Sequence, residues 1–138
     1  MLVYAHDPDE GPKYRLAMAA LDGLQANGRG CLSVQCLSEF VSATVRGPRP
    51  RLSVLEAERE IERFTQSWRV LSITPPIVLE AVRGVRVHRL AFWDAQLWAT
   101  ARLNQIPTIF TEDFAARVLE GVRFVNPFGA GFDLGAWV

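Results

Sequence analysis

The chain has 138 residues and a mass of 15.4 kDa, a length typical of one domain that buries a hydrophobic core without disulfide or metal support. Apolar residues make up 49% of the sequence and charged residues 22%, which excludes an intrinsically disordered chain. Fifteen basic and fifteen acidic residues cancel, so a nucleic acid would have to be bound by local patches rather than by a net positive field.

The first half of the chain predicts short strands alternating with helices. Ser33 can cap one helix, because its hydroxyl can accept from the exposed amides of a first turn. Ser53 and Glu56 form a capping-box pattern at the start of another. The predicted elements of this half are strands at residues 2–5 and 31–32 and helices that include residues 16–24, 37–44 and 55–64.

The second half alternates in the same way. Thr74 followed by two prolines predicts the start of a helix, since proline is tolerated in a first turn. The further elements are strands at 70–73, 108–111 and 122–125 and helices at 91–104 and 115–119. This alternation predicts an α/β fold, a three-layer α/β/α sandwich with a mostly parallel central sheet, in a single domain spanning residues 1–138. Ligand sites in such folds lie beyond the carboxyl ends of the strands.

The cysteines and the termini indicate the compartment. Cys31 and Cys36 are too few for a disulfide framework or a four-ligand zinc site, and buried free thiols are the simplest interpretation. The N-terminus lacks the pattern of a signal peptide, and no apolar run approaches the roughly 18 residues of a membrane span. We therefore expect a cytoplasmic protein without a membrane partner.

Three acidic residues stand apart from the solvated charge runs. Glu39 precedes a core phenylalanine in a predicted helix, Asp94 lies at the start of an apolar helix, and Asp113 follows a predicted strand. Carboxylates brought together there would repel one another unless a cation lay between them, and hard oxygen ligands suit Mg²⁺ or Mn²⁺. The alternative is that Asp94 complements a helix dipole and that Asp113 caps a helix.

Two clusters of cations could bind phosphate groups. One comprises Arg46, Arg49 and Arg51, and the other comprises Arg83, Arg86, His88 and Arg89. Neither has interleaved aromatic residues, so we expect phosphate and shape recognition of RNA rather than base stacking. The alternative is a solvated surface that complements a helix dipole. Both histidines are expected to be exposed or hydrogen-bonded, and the four tryptophans are expected to fill the core or an interface.

Four segments, taken in order, resemble the PIN-domain nucleases. They are LSVQCLSEF at residues 32–40, LAFWDA at 90–95, TEDF at 111–114 and GVRFVNPF at 121–128. The most similar branch is the VapC-type toxin of bacterial toxin–antitoxin pairs. Their order and spacing cover nearly the whole chain, from Met1 to about Phe128.

This resemblance implies a metal-dependent endoribonuclease that hydrolyses RNA phosphodiesters. It implies that Glu39, Asp94 and Asp113 are catalytic ligands of Mg²⁺ or Mn²⁺ and that Thr111 supports the site. Glu112 is adjacent and acidic, but it ranks below Asp113 because neighbouring residues leaving a strand point apart. The implied partners are a cognate antitoxin protein, the RNA substrate and a second copy of the chain in a homodimer.

The sequence departs from the family pattern at its first block. There the family carries an Asp-x-Asn triplet followed by residues like those at 2–6, and we expect that triplet directly before Met1. Without it the resemblance leaves an alternative, a catalytically impaired PIN-like module that binds antitoxin or RNA. The tail at residues 129–138 lies beyond the resemblance and could cover a sheet edge or reach a second subunit.

Overall fold

The computed structural model describes residues 1–47, 50–113 and 117–138. Its helices are α1 (Pro12–Ala26), α2 (Val34–Thr44), α3 (Val54–Ser67), α4 (Pro75–His88) and α5 (Phe92–Leu103), and its strands are β1 (Cys31–Ser33), β2 (Arg69–Leu71), β3 (Thr108–Phe110), β4 (Arg117–Leu119) and β5 (Val122–Val125). Helices and strands alternate through most of this order, which confirms the predicted α/β fold. The chain divides into two compact units, Met1–Val70 with Ala130–Val138, and Leu71–Gly129. The single domain over residues 1–138 stays a prediction.

Local capping signals set the helix starts of the first unit. Ser33 Oγ accepts from the backbone amide of Cys36 at 3.2 Å, and α2 begins at Val34, directly after Ser33. Ser53 and Glu56 form the predicted capping box at the start of α3, with Glu56 Oε2 2.7 Å from the Ser53 amide. Each cap satisfies amides that the first helical turn leaves without a partner. The prediction of α2 and α3 is confirmed.

The predicted strand at residues 2–5 is wrong. Tyr4–His6 forms a short 3-10 helix, in which the amide of His6 donates to the carbonyl of Val3 at 3.0 Å. The His6 ring holds this segment in place, since its Nδ1 lies 2.9 Å from the Leu2 carbonyl and its Nε2 lies 3.0 Å from Glu60 Oε2 on α3. An apolar run this short fits one helical turn as well as a strand, so the sequence pattern did not distinguish them.

The C-terminal tail packs against α1 within the first unit. A Cβ built at Gly23 would lie 2.6 Å from the Val138 side chain, so glycine is what permits this approach. Phe132 and Trp137 stack with ring centroids 6.5 Å apart. The sequence left open whether residues 129–138 cover a sheet edge or reach a second subunit. The contact seen here is a different one, with a helix of the same chain.

The second unit is built on the packing of α4 against α5. Gly84 allows the close approach, since a Cβ at that position would lie 2.9 Å from the Trp98 ring. Trp98 is fully buried, and its indole Nε1 donates to the carbonyl of Leu119 at 3.2 Å. The buried core of this unit consists of Ile77, Ala81, Leu90, Ala95, Trp98, Ala99, Ala101, Ile109, Val122 and Phe124.

The sheet of the second unit contains a hairpin that the sequence analysis missed. Its strand order is β3-β5-β4, with β3 parallel to β5 and β4 antiparallel to β5. The predicted helix at 115–119 is therefore wrong for Arg117–Leu119, and its first two residues lie outside the described residues. Glu120 and Gly121 have φ angles of 45° and 86°, the left-handed pair that a two-residue hairpin turn requires.

Within residues 1–47, 50–113 and 117–138, no helix combines the length and the apolar character that crossing a membrane requires.

Candidate functional site

The carboxyl ends of the parallel strands β3 and β5 meet at one edge of the sheet. The amide of Thr111, directly after β3, donates to the carbonyl of Val125 at the end of β5, at 2.9 Å. The Thr111 hydroxyl in turn accepts from the amide of Asp113 at 3.2 Å. Thr111 therefore joins the two strand ends and fixes the backbone of Asp113. The supporting role that the sequence resemblance implied for Thr111 stays a prediction.

Asp94 lies at the same end of the second unit. It is half-buried in the first turn of α5, whose other end leads through four residues into β3. Because α5 contacts β3 and the connection is short, the helix and the strand run in opposite directions. From Leu103 back to Asp94 the helix rises about 14 Å, more than the length of β3, which ends at Phe110. The first turn of α5 therefore lies toward the carboxyl end of β3, the strand that Asp113 follows.

Glu39 belongs to the first unit. It is exposed on α2, where Gln35 Nε2 donates to its Oε1 at 2.8 Å. The amide keeps the carboxylate oriented on its helix, and Gln35 itself is buried. The sequence analysis did not single out Gln35, although its i,i+4 spacing to Glu39 is the signal that could have found it.

A divalent cation is what the resemblance implies for these acids. The carboxylates of Asp94 and Asp113 and the hydroxyl of Thr111 are oxygen donors of the kind that Mg²⁺ and Mn²⁺ prefer. Over residues 1–47, 50–113 and 117–138, however, no three His, Cys, Asp or Glu side chains form a group that could hold a metal ion. Mg²⁺ is usually held by one or two carboxylates together with water, so Asp94 and Asp113 provide the kind of donors that such an ion needs.

The first cationic cluster is partly neutralised. Arg51 forms an ion pair with Asp7, and its second guanidinium nitrogen lies 3.7 Å from Glu10 Oε1. Arg46 is exposed, and Arg49 lies outside the described residues. Arg51 therefore carries its own counter-ions, which a phosphate would have to replace.

The second cationic cluster divides into two parts. Arg83 donates to Glu80 and Glu120 at 2.6 Å each, and His88 Nε2 lies 2.7 Å from Glu120. Arg102 also pairs with both carboxylates, at 2.9 and 3.0 Å. These five residues, here called the Glu120 network, surround Trp98, with the Arg83 guanidinium 5.3 Å from its ring centroid. Two further cations remain exposed beside it, Arg86 and Arg89.

The Glu120 network is expected to make stability depend on acid pH. Hydrogen bonds from Arg83 lower the pKa of Glu120 to about 2. A carboxylate with a depressed folded pKa stabilises the fold fully above its ordinary value of 4.5, and this stability is lost as the pH falls through about 2. Glu120→Gln should cost about 1 kcal/mol at pH 7, a value reduced by solvent screening because the side chain is 30% exposed. Urea unfolding at pH 7 and at pH 3 should show the difference from wild type shrinking at the lower pH.

Glu62→Gln provides the control for this prediction, because Glu62 is exposed on α3. Its unfolding midpoint should match wild type at both pH values. If Glu120→Gln and wild type lost the same unfolding free energy between pH 7 and pH 3, the lowered pKa of Glu120 would not be a source of stability.

The tryptophans are not all in the core. Trp68 and Trp98 are buried as expected, but Trp93 is 63% exposed and the neighbouring Phe92 is 38% exposed. Their rings meet edge to face with centroids 5.3 Å apart. This exposed pair directly precedes Asp94 and was missed in the sequence analysis.

The two cysteines, Cys31 and Cys36, are free and half-buried. Burial raises the pKa of the Cys31 thiol.

The chain matches a known family over most of its length. The family model described as PIN domain matches residues 1–121, most of the chain. Comparison with curated proteins and with solved structures finds no match. An α/β fold is what the sequence resemblance implied, whereas the catalytic roles of the acidic residues stay predictions. The chain belongs to the PIN-domain family.

Proposed function

We propose that this protein is an endoribonuclease that acts as the toxin of a type II toxin–antitoxin pair. The observation that carries the proposal is that Asp113 is held by Thr111 at the carboxyl ends of the parallel strands β3 and β5, in a chain of the PIN family. PIN domains are generally metal-dependent nucleases. The substrate is RNA, and the reaction is hydrolysis of a phosphodiester bond.

The acids have related roles in this proposal. Asp94 and Asp113 of the second unit are the proposed catalytic pair, and their oxygens would hold Mg²⁺ or Mn²⁺. The catalytic role of Glu39 in the first unit is proposed from the sequence resemblance alone. When bound, such an ion supplies charge stabilisation and an activated water. Thr111 positions Asp113, because its hydroxyl accepts from that residue's amide. Half-burial of Asp94 limits the water around its carboxylate and strengthens its interaction with any cation.

Phosphate groups of the RNA would be bound by the exposed guanidiniums. Arg86 and Arg89 directly precede the Asp94 segment, and Arg46 follows α2. The charge pattern of the sequence also indicates Arg49 and Arg51 for this role, although Arg51 would first have to leave Asp7. The proposed protein partners are a cognate antitoxin and a second copy of the chain, in the cytoplasm.

Metal dependence provides the test of this function. Cleavage of an end-labelled RNA should require Mg²⁺ or Mn²⁺ and should stop in EDTA. Mn²⁺ should also raise the unfolding midpoint of the protein, since a ligand at 100 times its Kd stabilises the folded state by about 2.7 kcal/mol. A protein that cleaves RNA equally well in excess EDTA, or a preparation that never cleaves it, would contradict the proposal.

A second candidate is a catalytically impaired PIN-like module that binds antitoxin or RNA. The observation that favours it is that no three potential ligands group together in the part of the chain that the structure describes. This module would bind RNA without cutting it, and Mn²⁺ would leave its unfolding midpoint unchanged.

A further inference from the structure

We propose that Trp93 is a stacking platform for an RNA base beside Asp94. The inference rests on the proposed function and adds a substrate contact to the same site. Trp93 immediately precedes Asp94 at the start of α5 and exposes 63% of its surface. Large aromatic side chains are usually buried, so an exposed one beside a candidate catalytic acid needs an explanation.

The geometry around Trp93 suits a flat ligand. Phe92 meets it edge to face, with an angle of 71° between the ring planes. This contact restricts the indole to fewer orientations before any ligand binds, which lowers the entropy that binding costs. The pair remains substantially exposed, since Phe92 is 38% accessible. A nucleobase has the apolar faces that such a surface can stack against.

The charges beside Trp93 favour a nucleic acid over an apolar protein segment. Arg89 ends α4 and is four residues before Trp93, so their Cα atoms are at most about 15 Å apart. Arg89 and Arg86 are both exposed. An exposed aromatic residue with guanidiniums nearby is the combination by which single-stranded nucleic acids are bound: rings take the bases and cations take the phosphates.

Position along the chain links this platform to cleavage. Consecutive helix residues point in different directions, but their Cα atoms are only about 3.8 Å apart, so a strand whose base stacks on Trp93 can bring a nearby phosphate to Asp94. The expected recognition therefore includes base stacking, which the sequence analysis did not expect, and it favours unpaired RNA because a paired base is not available to the ring. Stacking alone tolerates every base, so no sequence preference follows from this contact.

The test measures equilibrium binding of a short, fluorescently labelled single-stranded RNA in EDTA, so that binding is separated from cleavage. Trp93→Ala should weaken binding about tenfold, the order of one lost base–aromatic stack, and Trp93→Phe should retain most of the affinity. Leu79→Ala is the matched control, because Leu79 is an exposed apolar residue of α4, 72% accessible, and its loss should not change affinity.

Salt dependence separates stacking from charge. Trp93→Ala should leave the slope of log affinity against log salt unchanged, whereas Arg89→Ala should reduce it by about 0.7, the value for one phosphate contact on a single strand. Equal affinity of wild type and Trp93→Ala would overturn the stacking inference alone. A wild type that binds no RNA would overturn it together with the proposed function. A change of oligomeric state in Trp93→Ala at unchanged RNA affinity would also overturn it, by assigning the ring to a protein interface.

Discussion

Replacing Asp94 by asparagine should reduce RNA cleavage at least about 100-fold while the protein stays folded. The substitution keeps the shape of the side chain and removes only its charge, and loss of a positioned acid or base typically costs 10²- to 10⁴-fold. Asp94 is half-buried in the first turn of α5, at the edge where β3 ends. The initial rate of cleavage of an end-labelled RNA with Mn²⁺ gives the comparison. Asp113→Asn should lower the same rate, since Asp113 follows β3 and is the second acid proposed to hold the cation.

Asp22→Asn is the matched control for this result. Asp22 is exposed on α1, and the same change of charge there should leave the rate unaltered. The thermal midpoints of wild type and the Asp94 variant should agree closely, apart from the small helix-dipole contribution of an acid in a first turn. Cleavage by Asp94→Asn at the wild-type rate would show that Asp94 is not in the catalytic set.

Helix starts were predictable because their signals are local. Ser33, and Ser53 with Glu56, each satisfy amides within three residues, so no tertiary contact is needed to identify them. The hairpin turn at Glu120 and Gly121 was missed, because a non-glycine residue with φ of 45° gives little sequence signal. Residues 2–5 form a short turn because His6 joins them to α3 through Glu60, a contact 54 positions distant in sequence.

The candidate site was predictable only in part. Asp94 and Asp113 were singled out because they lie at the ends of predicted elements, where α/β folds place their ligand sites, and their catalytic role stays a prediction. The sequence pattern did not predict the exposure of Trp93, because the largest apolar residues of α5 are not all on its buried face. Small residues such as Ala95 and Ala99 form much of its buried face, whereas Phe92 is partly exposed. The Glu120 network was also missed as a unit, because it joins charges from α4, α5 and the hairpin turn.

Replacing Trp98 by alanine should cost about 3–5 kcal/mol of folding free energy, the usual effect of removing a large buried aromatic side chain. Trp98 is fully buried in the core of the second unit and packs on the backbone of α4 at Gly84. Its loss would leave a cavity between α4 and α5 and would also remove the bond from its Nε1 to the Leu119 carbonyl. Because domains are typically stable by only 5–15 kcal/mol, the midpoint of urea unfolding should fall sharply.

Trp93→Ala provides the same substitution at an exposed position on the same helix. It should change the unfolding free energy by less than about 0.5 kcal/mol, as exposed substitutions usually do. The loss of unfolding free energy in Trp98→Phe should lie between those of Trp98→Ala and Trp93→Ala, because phenylalanine keeps much of the packing and loses the hydrogen bond to Leu119. If Trp98→Ala were as stable as Trp93→Ala, Trp98 would not be the residue that fills the space between α4 and α5. Should Trp98→Ala fail to fold at all, the Trp98→Phe variant still measures the contribution, and an unfolding midpoint equal to that of wild type would contradict it.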